Sequence, residues 1–463
     1  MKSIKLIAIM VSGFLTTPSL FAQEKLTLQQ AIRYALEHKV DAQKSKLDIA
    51  NAENKIAETR SGALPQISAE GGFTYNPIIQ QNAIDISAIG GALPGVEPGT
   101  PPVESGNEGG SLALVAFGTP WTSANTVSLN QQIFNQALFT GLKAAKSSRE
   151  FYQINHALTE EQLIEKIANA YYEVFQTQQT LKTVQTNLDN TRKSMGIIKG
   201  LYESGLQKKI DLDRIQVAVT NLESQKQQTL NGLELQKNAL KFAMGMNISN
   251  SIQLPEETFQ VDISKIFEEA NAENRTEIRL LDKQEELLEL NKKAFIAEYY
   301  PTVSVNANYG VLGFSRDFFL TKPSTSRWAD FSAIGLSIKI PIFNGFATRS
   351  KVRQADIDLQ ALRYDREDTR LALALDNENA KSQMKNSILV IKSNEDNVKL
   401  AKEVLSDTEN NYKNGLATLT ELLDAEKAYA DAQNNYTTSL LDYKIAEVQL
   451  IKSKGELKSL INE

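Results

Sequence analysis

Side chains able to do chemistry are few and scattered. The chain has 463 residues with 2 His and no Cys, so disulfides, thiolate metal sites, a cysteine nucleophile and acylation at cysteine are all excluded. His156 and Glu160 stand four apart, a helical spacing that can supply half of a metal site. No third ligand accompanies them, and a surface contact between the two side chains is the better reading. The glycine pairs at 71–72 and 109–110 open no phosphate loop, and there is no Gly-x-Ser-x-Gly elbow. Glu421 and Asp424 lie three apart just beyond Gly415, hence on one helical face. Two acids there can gather cations, or can sit solvated at a helix N-terminus where negative charge is favourable. A net charge of −6 argues against nucleic-acid binding. The chain therefore reads as non-enzymatic and cofactor-free, with its information in periodicity.

Helices are legible from proline and from the heptad. None of the 12 prolines lies between Trp121 and Leu254, and none follows Pro341. Both stretches are rich in straight-chain helix formers, and interior proline costs a helix about 3 kcal/mol. Ile167, Val174, Leu181, Leu188, Met195 and Tyr202 recur in heptads, with Thr177 and Thr191 interrupting the companion series Ala170, Val184 and Ile198. Met384, Ile391, Val398, Leu405 and Tyr412 repeat the pattern. A sustained heptad predicts left-handed supercoiled helices. The stretches Asn135–Glu203 and Asn344–Lys413 would each run about 100 Å at 1.5 Å per residue.

Four shorter segments alternate apolar and polar residues: about 66–76, 123–134, 302–312 and 330–340. Period two predicts strands with one oily and one wet face, and their length suits a tilted crossing of a bilayer. Phe73, Tyr75 and Tyr309 fall toward the loop ends, where an interfacial girdle would sit. Residues 77–122 hold six prolines and a cluster of glycines and predict a long loop without regular structure. A second loop is expected over Phe314–Ala329.

The halves repeat. Ile133-Phe134-Asn135 returns as Ile342-Phe343-Asn344, and Tyr202-x-x-Gly205-Leu206 returns as Tyr412-x-x-Gly415-Leu416. Residues 23–254 and 255–463 are thus two copies of helix, strand, loop, strand, long helix, turn, helix, with Gly205 and Gly415 ending helices in a left-handed conformation. The topology places the strand hairpins and the glycine turns at opposite ends. Four strands in lipid leave two unpaired edges and are too few to close a barrel. Two, three or four copies could complete one.

At the N-terminus, Lys2 and Lys5 precede the apolar run Leu6–Leu15, and Ala22 follows as a small residue. Residues 1–22 predict a secretory signal peptide, since the run is shorter than the roughly 20 residues of a spanning helix.

In its order of features the chain resembles the TolC-like outer-membrane efflux protein family. The carriers are Leu26-Thr27-Leu28-x-x-Ala31-Ile32-x-x-Ala35-Leu36, the entries Leu64-Pro65 and Tyr300-Pro301, the exit Ile340-Pro341-Ile342-Phe343-Asn344-Gly345, and the paired turns Tyr202–Asp211 and Tyr412–Asp424. The resemblance implies a mostly α fold with a small membrane β part: a long coiled-coil helical barrel and a shared 12-stranded barrel of a homotrimer. It implies an exit duct in outer-membrane lipid of a Gram-negative-type bacterium, its helices in the periplasm, docked to a periplasmic adaptor and an inner-membrane transporter. It also implies that Glu421 and Asp424 form a ring of six acids, crowded enough to raise some of their pKa values, at a periplasmic gate. Asp211 and Tyr412 match positions that link neighbouring helices. Two departures stand out: Gln132 occupies the place of Pro341 in the first half, and Ala417 stands where the family carries a basic residue. A diffusion porin would have no use for such helices, and a surface coiled coil no use for such strands.

Overall fold

The computed structural model describes residues 25–85, 112–255 and 271–461. The expected signal peptide, residues 1–22, lies outside them, as does the centre of the 77–122 segment. In chain order the elements are α1 (Leu28–His38), α2 (Val40–Ser61), β1 (Gln66–Tyr75), β2 (Gln81–Asp85), β3 (Leu112–Ala116), β4 (Trp121–Phe134), α3 (Gln136–Glu203) and α4 (Lys209–Met244). After them come α5 (Thr276–Ala297), β5 (Thr302–Ser315), β6 (Arg327–Lys339), α6 (Ala347–Lys413) and α7 (Leu419–Lys454). No described helix is long and apolar enough to cross a membrane. The elements group into two compact units.

One unit, Ala50–Glu150 with Lys283–Arg363, carries the sheet. Its strands pair antiparallel in the order β1-β4-β5-β6, which leaves β1 and β6 as open edges. Residues paired across an antiparallel ladder share a face. Register therefore joins Ile67, Leu129, Ala307 and Ile334 in one row, and Ala69, Val127, Tyr309 and Ser332 in the next. Ser68, Ser128, Asn308 and Ala333 line the opposite face, where Asn130 donates from Nδ2 to Asn306 Oδ1 at 2.6 Å. The two faces are the oily and wet ones that alternation requires.

Both tryptophans of the chain join an aromatic cluster near the β5–β6 hairpin. Trp121 packs on Tyr75 and on Phe318, both with centroids 4.8 Å away, while Phe319 lies 5.2 Å from Trp328. Gly313 makes room, since a Cβ there would come within 2.6 Å of the Trp328 ring. Tyr309 does not belong to this girdle: it sits in mid-strand, opposite Val127 and Ser332.

Two loop expectations are corrected. Within 77–122, β2 pairs with β3 from Gln81↔Ala116 to Asp85↔Leu112. Those flanks contain neither glycine nor proline, so nothing there opposes a ladder. The expected loop Phe314–Ala329 shrinks to residues 316–326, because backbone pairing continues through Leu312 and Phe314. Those apolar residues on the otherwise polar face end the alternation before the strand itself ends. At the junction with α3, the ladder shifts register between Gln132 and Phe134. This bulge breaks pairing where the second half uses Pro341.

The other unit comprises the described parts of Met1–Ile49, Phe151–Asp282 and Tyr364–Glu463. Ile164, Ile167, Tyr171 and Val174 of α3 are fully buried in a core with Ile32, Leu240, Met244 and Ile451. Each large apolar side chain so buried contributes about 1.5–3 kcal/mol. The repeat is visible in how α4 and α7 end. Gly245 (φ +75°) and Gly455 (φ +78°) are left-handed caps, each approached by a buried cation. Lys39 Nζ donates to Phe242 O at 3.0 Å, and Arg275 Nη1 donates to Ser453 O at 3.1 Å. Lys39 and Arg275 are separated by the same 236 residues as Pro65 and Pro301. A cation at a helix C-terminus meets its free carbonyls and the negative end of its dipole.

At Gly245 a Cβ would lie 3.1 Å from His38 O and 3.2 Å from Lys39 Cα, whereas Gly415 (φ +71°) faces open space. Gly415→Ala should cost only the left-handed penalty of about 1–2 kcal/mol. Gly245→Ala should cost more, because backbone must move. Thermal unfolding in detergent checks this, and equal falls in Tm for the two variants would contradict it.

Candidate functional site

The two glycine turns are built alike. Gly205 (φ +72°) and Gly415 stop α3 and α6. Leu206 N–H donates to Leu201 O and Leu416 N–H to Asn411 O, each at 2.8 Å. These are the long bonds of a Schellman cap, which needs a residue of positive φ. A seam of Ile198, Ile215, Leu405, Leu419, Leu422 and Ala425 holds the turns together.

Side-chain chemistry then separates the two copies. Glu421 is the third residue of α7 and closes a capping box: its Oε2 accepts from Thr418 N–H at 2.6 Å and from Thr418 Oγ1 at 3.0 Å. The backbone bond first, then the hydroxyl, holds the Glu421 carboxyl below the usual glutamate range. Those donors set the direction within one chain; the raised values expected of a ring of six acids concern three copies together. Asp424, one turn on, is exposed in a groove of about 610 Å³ with Asp213, Arg214 and Thr420.

Asp211 holds the matching place in α4, but Lys208 precedes the helix and offers no acceptor. Gln207 Nε2 donates to Asp211 Oδ2 at 3.0 Å instead. Tyr412 is brought close to Asp211 without bonding to it: the Tyr412 hydroxyl is buried and has no hydrogen-bond partner among the described residues. Burial, then the Asp211 charge, pushes the phenol above its usual range. Ala417 offers no cation, and Arg214 supplies one from the other hairpin, donating from Nη1 to Thr420 Oγ1 at 3.2 Å.

His156 lies elsewhere, in a half-buried cluster rather than a surface contact. Its Nδ1 is 2.7 Å from Ser45 Oγ and its Nε2 3.2 Å from Glu160, which Lys458 also meets at 2.8 Å. Among the described residues no group of three or more His, Cys, Asp or Glu could hold a metal.

One acid escaped the sequence reading. Glu426 is 7% exposed and among the described residues is met by two hydroxyls: Thr191 Oγ1 donates to Oε2 at 2.8 Å and Ser194 Oγ to Oε1 at 3.2 Å. Its signal was Thr191, the polar residue that breaks the α3 heptad and is itself buried. Burial pushes the Glu426 carboxyl up, the two hydroxyls work against this, and the Glu409 charge adds to it.

A family model described as outer membrane efflux protein matches residues 31–246 and 272–456. The chain belongs to the outer membrane efflux protein family. The outer membrane protein TolC of Escherichia coli is 21% identical over 462 residues, covering 98% of this chain and 86% of its own. TolC of Vibrio cholerae is 23% identical over 336 residues, or 72% and 76% of the two chains. The crystal structure of the outer membrane protein VceC from Vibrio cholerae shares the fold, with a TM-score of 0.69, 19% identity and coverage of 92% and 96%. The chain is an outer-membrane exit duct of an efflux system, with its helical part in the periplasm.

A glutamate with a raised pKa holds its proton more tightly folded than unfolded. The stability tied to Glu426 is therefore complete below the ordinary glutamate value of 4.5 and is lost as pH rises through the raised value. Glu426→Gln should flatten the fall of Tm between pH 4.5 and neutrality, and a profile parallel to wild type would contradict the assignment.

Proposed function

We propose that three copies close a 12-stranded barrel, and that the paired turns form a gate at the periplasmic mouth of the duct. The sheet carries this reading. It has four strands, one oily face and free edges at β1 and β6, and unpaired backbone in lipid costs several kcal/mol per group. Three such sheets supply edges for one another.

Around a three-fold axis, Glu421 and Asp424 would give six carboxylates. Such a ring attracts cations and is open to block by divalent ions. The apolar seam and the Arg214–Thr420 bond hold the hairpins of each copy together. A periplasmic adaptor and an inner-membrane transporter would splay them, and the transporter would supply the driving energy. The duct itself is a passive conduit.

Single-channel recording of the detergent-purified protein in planar bilayers tests the gate. Wild type should conduct poorly and be blocked further by divalent cations. Asp424→Ala should raise conductance several-fold and relieve the block. Glu421→Ala should act in the same direction while also removing one half of the capping box that starts α7. A wide wild-type pore indifferent to both changes would refute the assignment.

A further inference from the structure

Glu426 lies two residues beyond Asp424 and so on the opposite side of α7, where that helix meets α3. Among the described residues the groups that reach its buried carboxyl are the hydroxyls of Thr191 and Ser194, both on α3. The charges of the neighbouring helices are turned elsewhere. Arg192 of α3 is exposed and pairs with Glu223 of α4 at 2.6 Å, and Lys193 is exposed. Arg214 of α4 donates to Thr420, while Asp424 and Lys427 of α7 are exposed. From α6 come the like charge of Glu409 and, one turn on, the unpartnered phenol of Tyr412. The repeat shows that the backbone does not demand this arrangement. At the shift that carries Asp211 to Glu421, Glu426 answers to Gln216, which is exposed, and Thr191 and Ser194 answer to Ala401 and Val404. A buried carboxyl held by two hydroxyls stands in one half only.

We propose that Glu426 is a proton-held latch of the duct: neutral, its carboxyl ties α7 to α3 while the hairpins are closed, and it ionises when they part. The inference rests on the proposed gate and adds a positioning residue to it. Hydroxyls donate or accept, and so satisfy the carboxyl in either state, but they bring no charge to offset an ionised one. Within the seam, burial favours the protonated form, with the two hydroxyls acting against it and Glu409 adding to it. Parting of α3 and α7 returns the carboxyl to water, where an ordinary glutamate gives its proton to solvent at neutral pH. Closing again must recapture a proton or bury a charge. The closed state thus binds the proton more tightly than the open one. Above the ordinary value of 4.5 and up to the raised one, rising pH shifts the balance toward opening, by up to about tenfold per pH unit for each proton released.

Single-channel recording of the full-length protein tests the latch, with the open probability followed as the pH on the side of the turns is raised from 4.5 to neutrality. Wild type should open more often as pH rises. Glu426→Gln, of the same shape but unable to ionise, should stay closed and lose this dependence. Glu426→Ala should open several-fold more often than wild type at the acid end and respond little to pH. Thr191→Val removes a donor that favours the charged form and should move the midpoint to higher pH, a shift that a merely structural contact would not produce. Should Glu426→Ala fail to fold, the isosteric Gln variant carries the comparison. A Gln variant that keeps the wild-type pH response overturns the inference. So does a response abolished by Asp424→Ala and untouched by Glu426→Gln, which would put the proton on the acid ring. A pore wide at every pH and indifferent to Asp424→Ala sinks gate and latch together, whereas a gated pore blind to Glu426 sinks the latch alone.

Discussion

A sheet of four strands with an oily face cannot stand alone in lipid, and this constraint governs the molecule. Each pairing within the chain is made, yet β1 and β6 keep a row of unpaired N–H and C=O groups. In water an exposed edge is an aggregation hazard; in hydrocarbon it is forbidden. The helices show the same incompleteness. Leu371, Leu375, Leu389 and Leu400 of α6 are more than half exposed in the single chain, while Met384 and Ile391 of that helix are buried. One face of α6 is buried within the chain, and the other leaves large apolar side chains exposed.

Duplication supplies the backbone, and divergence supplies the chemistry. The turns at Gly205 and Gly415 share φ and hydrogen bonding, and Lys39 and Arg275 approach equivalent helix ends. Asp211 and Glu421 hold the same helical position, but only Glu421 has a threonine to make a capping box. Small differences of this kind give the paired turns unlike side-chain partners on like backbones.

Much of this was legible because period and punctuation are local properties. The heptads of Ile167, Val174 and Leu188 name residues that are buried, and alternation in 302–312 names the right faces of β5. What was not legible depended on partners distant in the chain. The β2–β3 ladder was hidden because glycine and proline dominate the segment between its strands. Tyr309 looked like girdle because strand length, set by pairing with Arg327–Lys339, was underestimated. Glu426 was invisible until the α7 carboxylate met Thr191, more than two hundred residues away. Glu421 and Asp424 were found by spacing alone, but spacing could not tell that Thr418 already engages Glu421.

The account stands or falls on the borrowed edges. The most direct measurement is the mass of the protein–detergent particle, corrected for bound detergent by combined light scattering and refractive index. Three chains per particle, falling apart only when the sheet unfolds, is the predicted result. A single chain that stays folded in detergent-free buffer would contradict it.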